Sequence, residues 1–166
     1  MRALARSRIF IAAMTVSAGA TVVLGAGAAT ATSPVPLNPD LRNCDFSLVP
    51  TAIQRPRALV GRGTAQISSS GSSVVADVHM VIANSPGAHY DVGLIQLPRP
   101  SSATCGPGDP GTTFTGMDTD ATGQATVTIT APIQSGTTGV WVIVESPNPN
   151  NQAPAEFFTS EFVAPV

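Results

Sequence analysis

Beyond residue 43 the chain reads as short apolar runs separated by turn formers, and no window keeps a helical period. The runs fall at residues 46–49, 58–60 continuing into 64–67, 74–82, 90–97, 124–133, 140–145 and 157–163. Between them stand Asn84-Ser-Pro-Gly87, Cys105-Gly-Pro-Gly-Asp-Pro-Gly111, Ala121-Thr-Gly123 and Ser146-Pro-Asn-Pro-Asn-Asn151, rich in the residues that turn a backbone or remove its N–H. Prolines and glycines interrupt every stretch long enough for an amphipathic helix. About seven or eight strands at this spacing predict an all-β fold, an immunoglobulin-like, Greek-key β-sandwich of antiparallel strands.

The period of two also assigns faces. Thr126, Thr128 and Thr130 alternate with Val127, Ile129 and Ala131, a polar face against an apolar one. By the same rule Ala76, Val78, Met80 and Ile82 point inward on one strand, and Tyr90, Val92 and Leu94 on the next. Residues 140–144 are apolar on both faces, which predicts a central strand; Trp141, the only tryptophan, is assigned to packing over a Cys44–Cys105 bridge. At 157–163 neither face is cleanly apolar. That pattern fits an edge strand with one exposed phenylalanine, open to strand addition, or closure of the sandwich by its last strand.

The first thirty-one residues have a different grammar. Arg2, Arg6 and Arg8 precede an apolar run from Ile9, followed by the small residues Ala26-Gly-Ala-Ala-Thr-Ala31. This is the order of a secretory signal helix, with cleavage between Ala31 and Thr32. The competing reading is an uncleaved anchor, since the run is long enough to cross a bilayer; in that case alone does the chain touch a membrane. Residues 32–43, with three prolines and no periodicity, read as a disordered leader, and 44–166 as one domain.

Removing the signal changes the charge. Five arginines, no lysine and ten acids remain beyond residue 31, a formal charge of −5, which argues against nucleic acid as a partner. Export also decides how Cys44 and Cys105 are read. Two cysteines without a C-x-x-C pattern in an oxidising compartment predict a disulfide, not a reactive thiol or metal pair.

One constellation could carry chemistry. Asp77-Val-His79 and His89-Tyr-Asp91 flank a short link and contain both histidines. If the two strands pair as one hairpin with even residues inward, Asp77, His79, His89 and Asp91 share a face and could hold Zn²⁺ or Cu²⁺. The plainer reading is a solvated His–Asp surface. Asp118-Thr-Asp120-Ala-Thr-Gly123 resembles part of a calcium loop, but Thr122 and Ile129 stand where further ligands belong, so a hairpin turn is expected. No G-x-S-x-G is present, and nothing raises Glu145, Glu156 or Glu161 above surface acids.

The signal, Tyr90-x-Val-x-Leu94, Cys105-Gly, Thr119-Asp-Ala-Thr-Gly123 and Gly139-Val-Trp-Val together resemble the small exported β-sandwich proteins of mycobacteria and related actinomycetes, over most of residues 44–166. That resemblance implies a secreted or cell-envelope factor with no catalytic residues to transfer. The Cys and Trp order departs from that of true immunoglobulin domains, so the architecture alone carries over. The expectation is a non-catalytic binding module without cofactor, whose partner is a protein or envelope component. The alternative is a metal-binding protein or enzyme centred on Asp77, His79, His89 and Asp91.

Overall fold

The computed structural model describes residues 33–50, 61–147 and 154–166. The expected signal helix, its Ala31/Thr32 cleavage point and the strand start at 58–60 lie outside the described residues. The strands are β1 (Val35–Asn38), β2 (Arg62–Ser70), β3 (Ser73–Val81), β4 (His89–Leu97), β5 (Thr112–Asp118), β6 (Gln124–Pro132), β7 (Gly139–Ser146), β8 (Glu156–Ser160) and β9 (Ala164–Pro165). All pairings are antiparallel, along the path β5-β4-β7-β8-β1-β2-β3-β6, with β9 beside β7.

The path folds back on itself so that its two halves share one core. Val35 and Leu37 of β1, Ala76, Val78 and Met80 of β3, Val92 and Leu94 of β4, Val140, Val142 and Val144 of β7, and Phe158 of β8 form a single buried cluster. The pairings of β3 with β6, and of β4 with β7 and then β8, are those that strands B–E and C–F–G make in an immunoglobulin-like sandwich. The faces assigned from alternation hold throughout. Even-numbered residues of β3 and β4 are inside, and Thr126, Thr128 and Thr130 are outside.

Four local expectations change. The first is the leader: Val35 and Leu37 are buried in β1, which lies between β2 and β8. Pro36 is tolerated because its carbonyl accepts from the Glu161 N–H at 2.9 Å, so its nitrogen faces the short β8 side and the β2 ladder loses nothing. Secondly, β5 goes unseen in the sequence because its two large apolar residues, Phe114 and Met117, serve opposite faces. Thirdly, residues 46–49 form only the isolated bridge Arg42↔Leu48, since the chain turns at Phe46. Lastly, of the two readings of 157–163 only the edge strand falls: β8 is flanked by β7 and β1, Phe158 is fully buried, and the exposed phenylalanine is Phe162.

Candidate functional site

The hairpin proposed for Asp77, His79, His89 and Asp91 does not form. β3 pairs with β2 and β6, whereas β4 pairs with β5 and β7, so residues 82–88 cross from one half of the sandwich to the other. His79 lies opposite Thr64 and Thr126; Asp77 lies opposite Gln66 and Thr128, and accepts the Thr128 hydroxyl at 2.6 Å. His89 and Asp91 point out of the other half. The period of two had placed all four residues on outer faces correctly, but outer faces of different layers. Among the described residues, no group of three or more His, Cys, Asp or Glu is arranged to hold a metal ion.

What the structure does assemble is a His–carboxylate patch on β4, β5 and β7. His89 lies opposite Asp118, and Asp91 lies between Gly116 and Glu145. His89 Nδ1 is 2.7 Å from Asp118 Oδ1, and Nε2 is 3.6 Å from Asp91 Oδ1. Gly116 makes this possible, because a Cβ there would stand 2.8 Å from the imidazole Cε1. The hydrogen bond to Asp118, with the charges of Asp118 and Asp91 behind it, holds the His89 pKa above its ordinary value. Burial, with Asp91 adding to it, raises the Glu145 carboxyl. The patch therefore takes up protons more readily than isolated groups would. His89 remains more than half exposed, so its ion pairs are screened and contribute little to stability. Its Nε2 faces a carboxylate and not a hydroxyl or thiol, so no nucleophile–base pair is formed there.

Asp120 behaves as a turn residue. Its Oδ1 accepts from the Thr122 and Gln124 amides at 2.7 and 2.9 Å and from the Thr122 hydroxyl, which lowers its pKa. Gly123 follows at φ 75°, where a side chain would meet the Ile82 carbonyl. Asp118 is engaged with His89, so the two acids of the supposed calcium loop serve separate purposes. At the neighbouring end of the sandwich the Tyr90 hydroxyl donates to Glu156 at 2.5 Å; burial and that carboxylate push the phenol up to about 12.

The second region is a stapled layer outside β4 and β7. Ile95, Trp141 and Ile143 point away from the main core, yet are buried beneath Phe46, Leu97, Cys105 and Phe114. Cys44 and Cys105 form a disulfide, which ties the loop after β1 to the loop between β4 and β5. Phe46 meets Trp141 edge to face at 5.7 Å, and the Arg42 guanidinium lies 3.9 Å over the Phe46 ring. Arg42 also donates to the Phe46 and Glu161 carbonyls, joining this loop to the one after β8. Phe46 holds φ 72°, a left-handed conformation that a bulky side chain adopts only when its surroundings impose it. Leu48 and Phe162, 50% and 48% exposed, stand on the two loops that Arg42 joins. Sequence reasoning found Trp141, Phe162 and the disulfide. It met Arg42 only as one of four arginines between positions 42 and 62 and Leu48 only within the 46–49 run, with no part for either in holding or exposing these loops.

No family model and no curated protein matches this chain.

Proposed function

We propose that the protein is an exported, non-catalytic binding module that engages a protein or other component of the cell envelope. The loop surface bearing Leu48 and Phe162 is its contact region. The observation that carries this reading is that the two exposed large apolar side chains stand on two loops joined by Arg42, the first of them also held by a disulfide and a cation–π contact. Rigid loops bearing apolar residues lose little entropy on binding, which favours contact through such a surface. The strained backbone at Phe46 supports it too, because strain of this kind gathers where a loop's shape serves a purpose. Export is supported by the disulfide, which oxidising compartments allow, and by the signal-like order of the first thirty-one residues.

The test begins with intact mass and metal analysis of the exported, untagged protein, followed by its binding to isolated envelopes from its own host. A mass beginning at Thr32, lower by two hydrogens and free of metal, agrees with the proposal. The double variant Leu48→Ser/Phe162→Ser should then bind about tenfold or more weakly, with an unchanged circular dichroism spectrum. Equal binding by the variant overturns the proposed surface. Stoichiometric zinc or copper in the purified protein overturns the reading of a module that works without a cofactor.

A further inference from the structure

The loop after β1 is a small hairpin in its own right. The Asn43 N–H donates to the Ser47 carbonyl at 2.8 Å and the Val49 N–H to the Leu41 carbonyl at 2.9 Å, on either side of the Arg42↔Leu48 bridge. Its tip is closed by the Phe46 amide on the Asn43 carbonyl, and by Asp45, whose carboxylate accepts the Ser47 amide and hydroxyl. Arg42 donates to the Phe46 carbonyl and lies over the Phe46 ring. All these contacts fall within residues 41–49, so the shape of the hairpin does not depend on the strands beneath it.

Its hold on those strands is narrow. At its base the Asp40 carbonyl accepts the Thr159 hydroxyl at 2.8 Å. Beyond that point its one hydrogen bond to another element, among the described residues, runs from Arg42 to the Glu161 carbonyl at a long 3.4 Å. Of the partly buried side chains packed over Ile95, Trp141 and Ile143, only Phe46 comes from the hairpin; Leu97, Cys105 and Phe114 belong to β4, β5 and the loop between them. That second loop is well anchored. Arg99 donates to the Thr104 and Pro110 carbonyls, the Thr112 hydroxyl to those of Gly106 and Asp109, and the Gln96 N–H to that of Gly111. Closure also has a cost. Trp141 Nε1 and Arg42 Nε are buried with no hydrogen-bond partner among the described residues, and opening would return both donors to water. The bond from Cys44, near the hairpin tip, to Cys105 is what holds it down.

We propose that residues 41–49 form a redox-controlled flap: a dithiol reduces Cys44–Cys105, and the hairpin swings about Asp40 to uncover Trp141. Both cysteines are half-buried on surface loops, within reach of such a reagent. One thiolate of the dithiol attacks a sulfur of the bridge and forms a mixed disulfide, and the released cysteine sulfur takes up a proton. The second thiol then displaces the other cysteine, which is protonated in turn. Two electrons and two protons pass to the protein, and the dithiol becomes a disulfide. The closed flap hides an apolar face of Ile95, Trp141 and Ile143; the open flap presents it for contact. Leu48 rides on the flap, but Trp141 reports the movement whether or not Leu48 and Phe162 meet a partner.

The exported protein is compared before and after treatment with dithiothreitol. Trp141 is the only tryptophan, so on reduction the emission should shift to the red and its quenching by acrylamide should rise several-fold. Hydrogen exchange at the β3 and β4 amides should stay slow, which separates flap opening from unfolding. Reoxidation with oxidised glutathione should restore the original emission. Cys44→Ser/Cys105→Ser should match the reduced protein with no reductant present. A reduced protein whose Trp141 stays as shielded as in the oxidised form overturns the proposal. So does loss of β3 and β4 protection in step with the emission change, or a bridge that dithiothreitol cannot reduce in the folded protein.

Discussion

The outer faces of the two halves of the sandwich make an instructive pair. On β3 and β6 the outward row is largely open: Asp77, His79, Thr126, Thr128 and Thr130 are exposed and Val75 and Val81 half-buried, as expected of a sheet with one wet face. On β4 and β7 the corresponding positions hold Ile95, Trp141 and Ile143, all buried. The strand geometry is the same in both halves. What differs is that two loops, tied by Cys44–Cys105, lie over one half and leave the other bare. A second hydrophobic layer was thus built outside a finished sheet, under two loops whose joined cysteines stand 61 residues apart in sequence. The covered face also shades into a proton-binding one, where the loops stop and Asp91, Glu145 and His89 begin.

The largest way to break the contrast is at its centre. Trp141→Ala should cost about 3–5 kcal/mol in chemical denaturation, by transfer loss and cavity together. Thr128→Ala on the bare face should stay within about 0.5 kcal/mol of wild type. Equal costs for the two would mean that the outer layer contributes nothing to the folded state. Next comes the staple. Changing both cysteines to Ser frees the loop and should cost roughly 2–4 kcal/mol, with Phe46 and Trp141 losing their near-UV signal before the main core unfolds.

Gly93→Ala ranks third. Its Cβ would stand 2.5 Å from the Phe114 ring and 2.9 Å from Ile143 Cγ2, both inside the covered layer, so about 1–3 kcal/mol of overpacking is expected. Gly116→Ala meets only the exposed His89 ring, which can swing aside, and should cost less while altering the His89 titration seen by NMR. If Gly116→Ala proves the more costly, the patch is more rigid than its exposure implies.

The smallest effect is that of pH. His89 and Glu145 both titrate above their ordinary values when folded. Their stabilisation is complete below their unfolded pKa values, about 6.5 and 4.3, and is lost as pH rises through the folded ones. Asp45 and Asp120 are lowered by the bonds they accept, so their contribution is present above about 3.9 and lost on acidification through the folded values. Thermal stability should therefore peak in mildly acidic solution, between about pH 4 and 6.5. His89→Asn should flatten the neutral side of that profile. A maximum at or above pH 7 in wild type would contradict the assignment.

Much of this was legible beforehand. Alternation gave the inward faces of β3, β4 and β6, and the doubly apolar run at 140–144 gave a central strand. What misled was adjacency. The short link at Asn84-Ser-Pro-Gly87 looks like a hairpin loop, yet it carries the chain between layers, which separates His79 from His89. Period two tells which way a side chain points and is silent about which strand lies beside it. The role of Arg42 was hidden for a related reason, because it depends on Glu161, far along the chain.

By itself, then, the sequence determined the all-β class, the inside and outside of the strands it revealed, most of the turns, and the pair of cysteines that bond. These follow from local rules: the pleat's alternation, the φ demands of Gly and Pro, and the scarcity of thiols. Only the tertiary structure decided the neighbours: β3 beside β6, β1 between β2 and β8, and a loop folded over Trp141. Strand order is set by how two apolar faces of limited area close on each other, and that sum over the whole chain is carried by no segment of it.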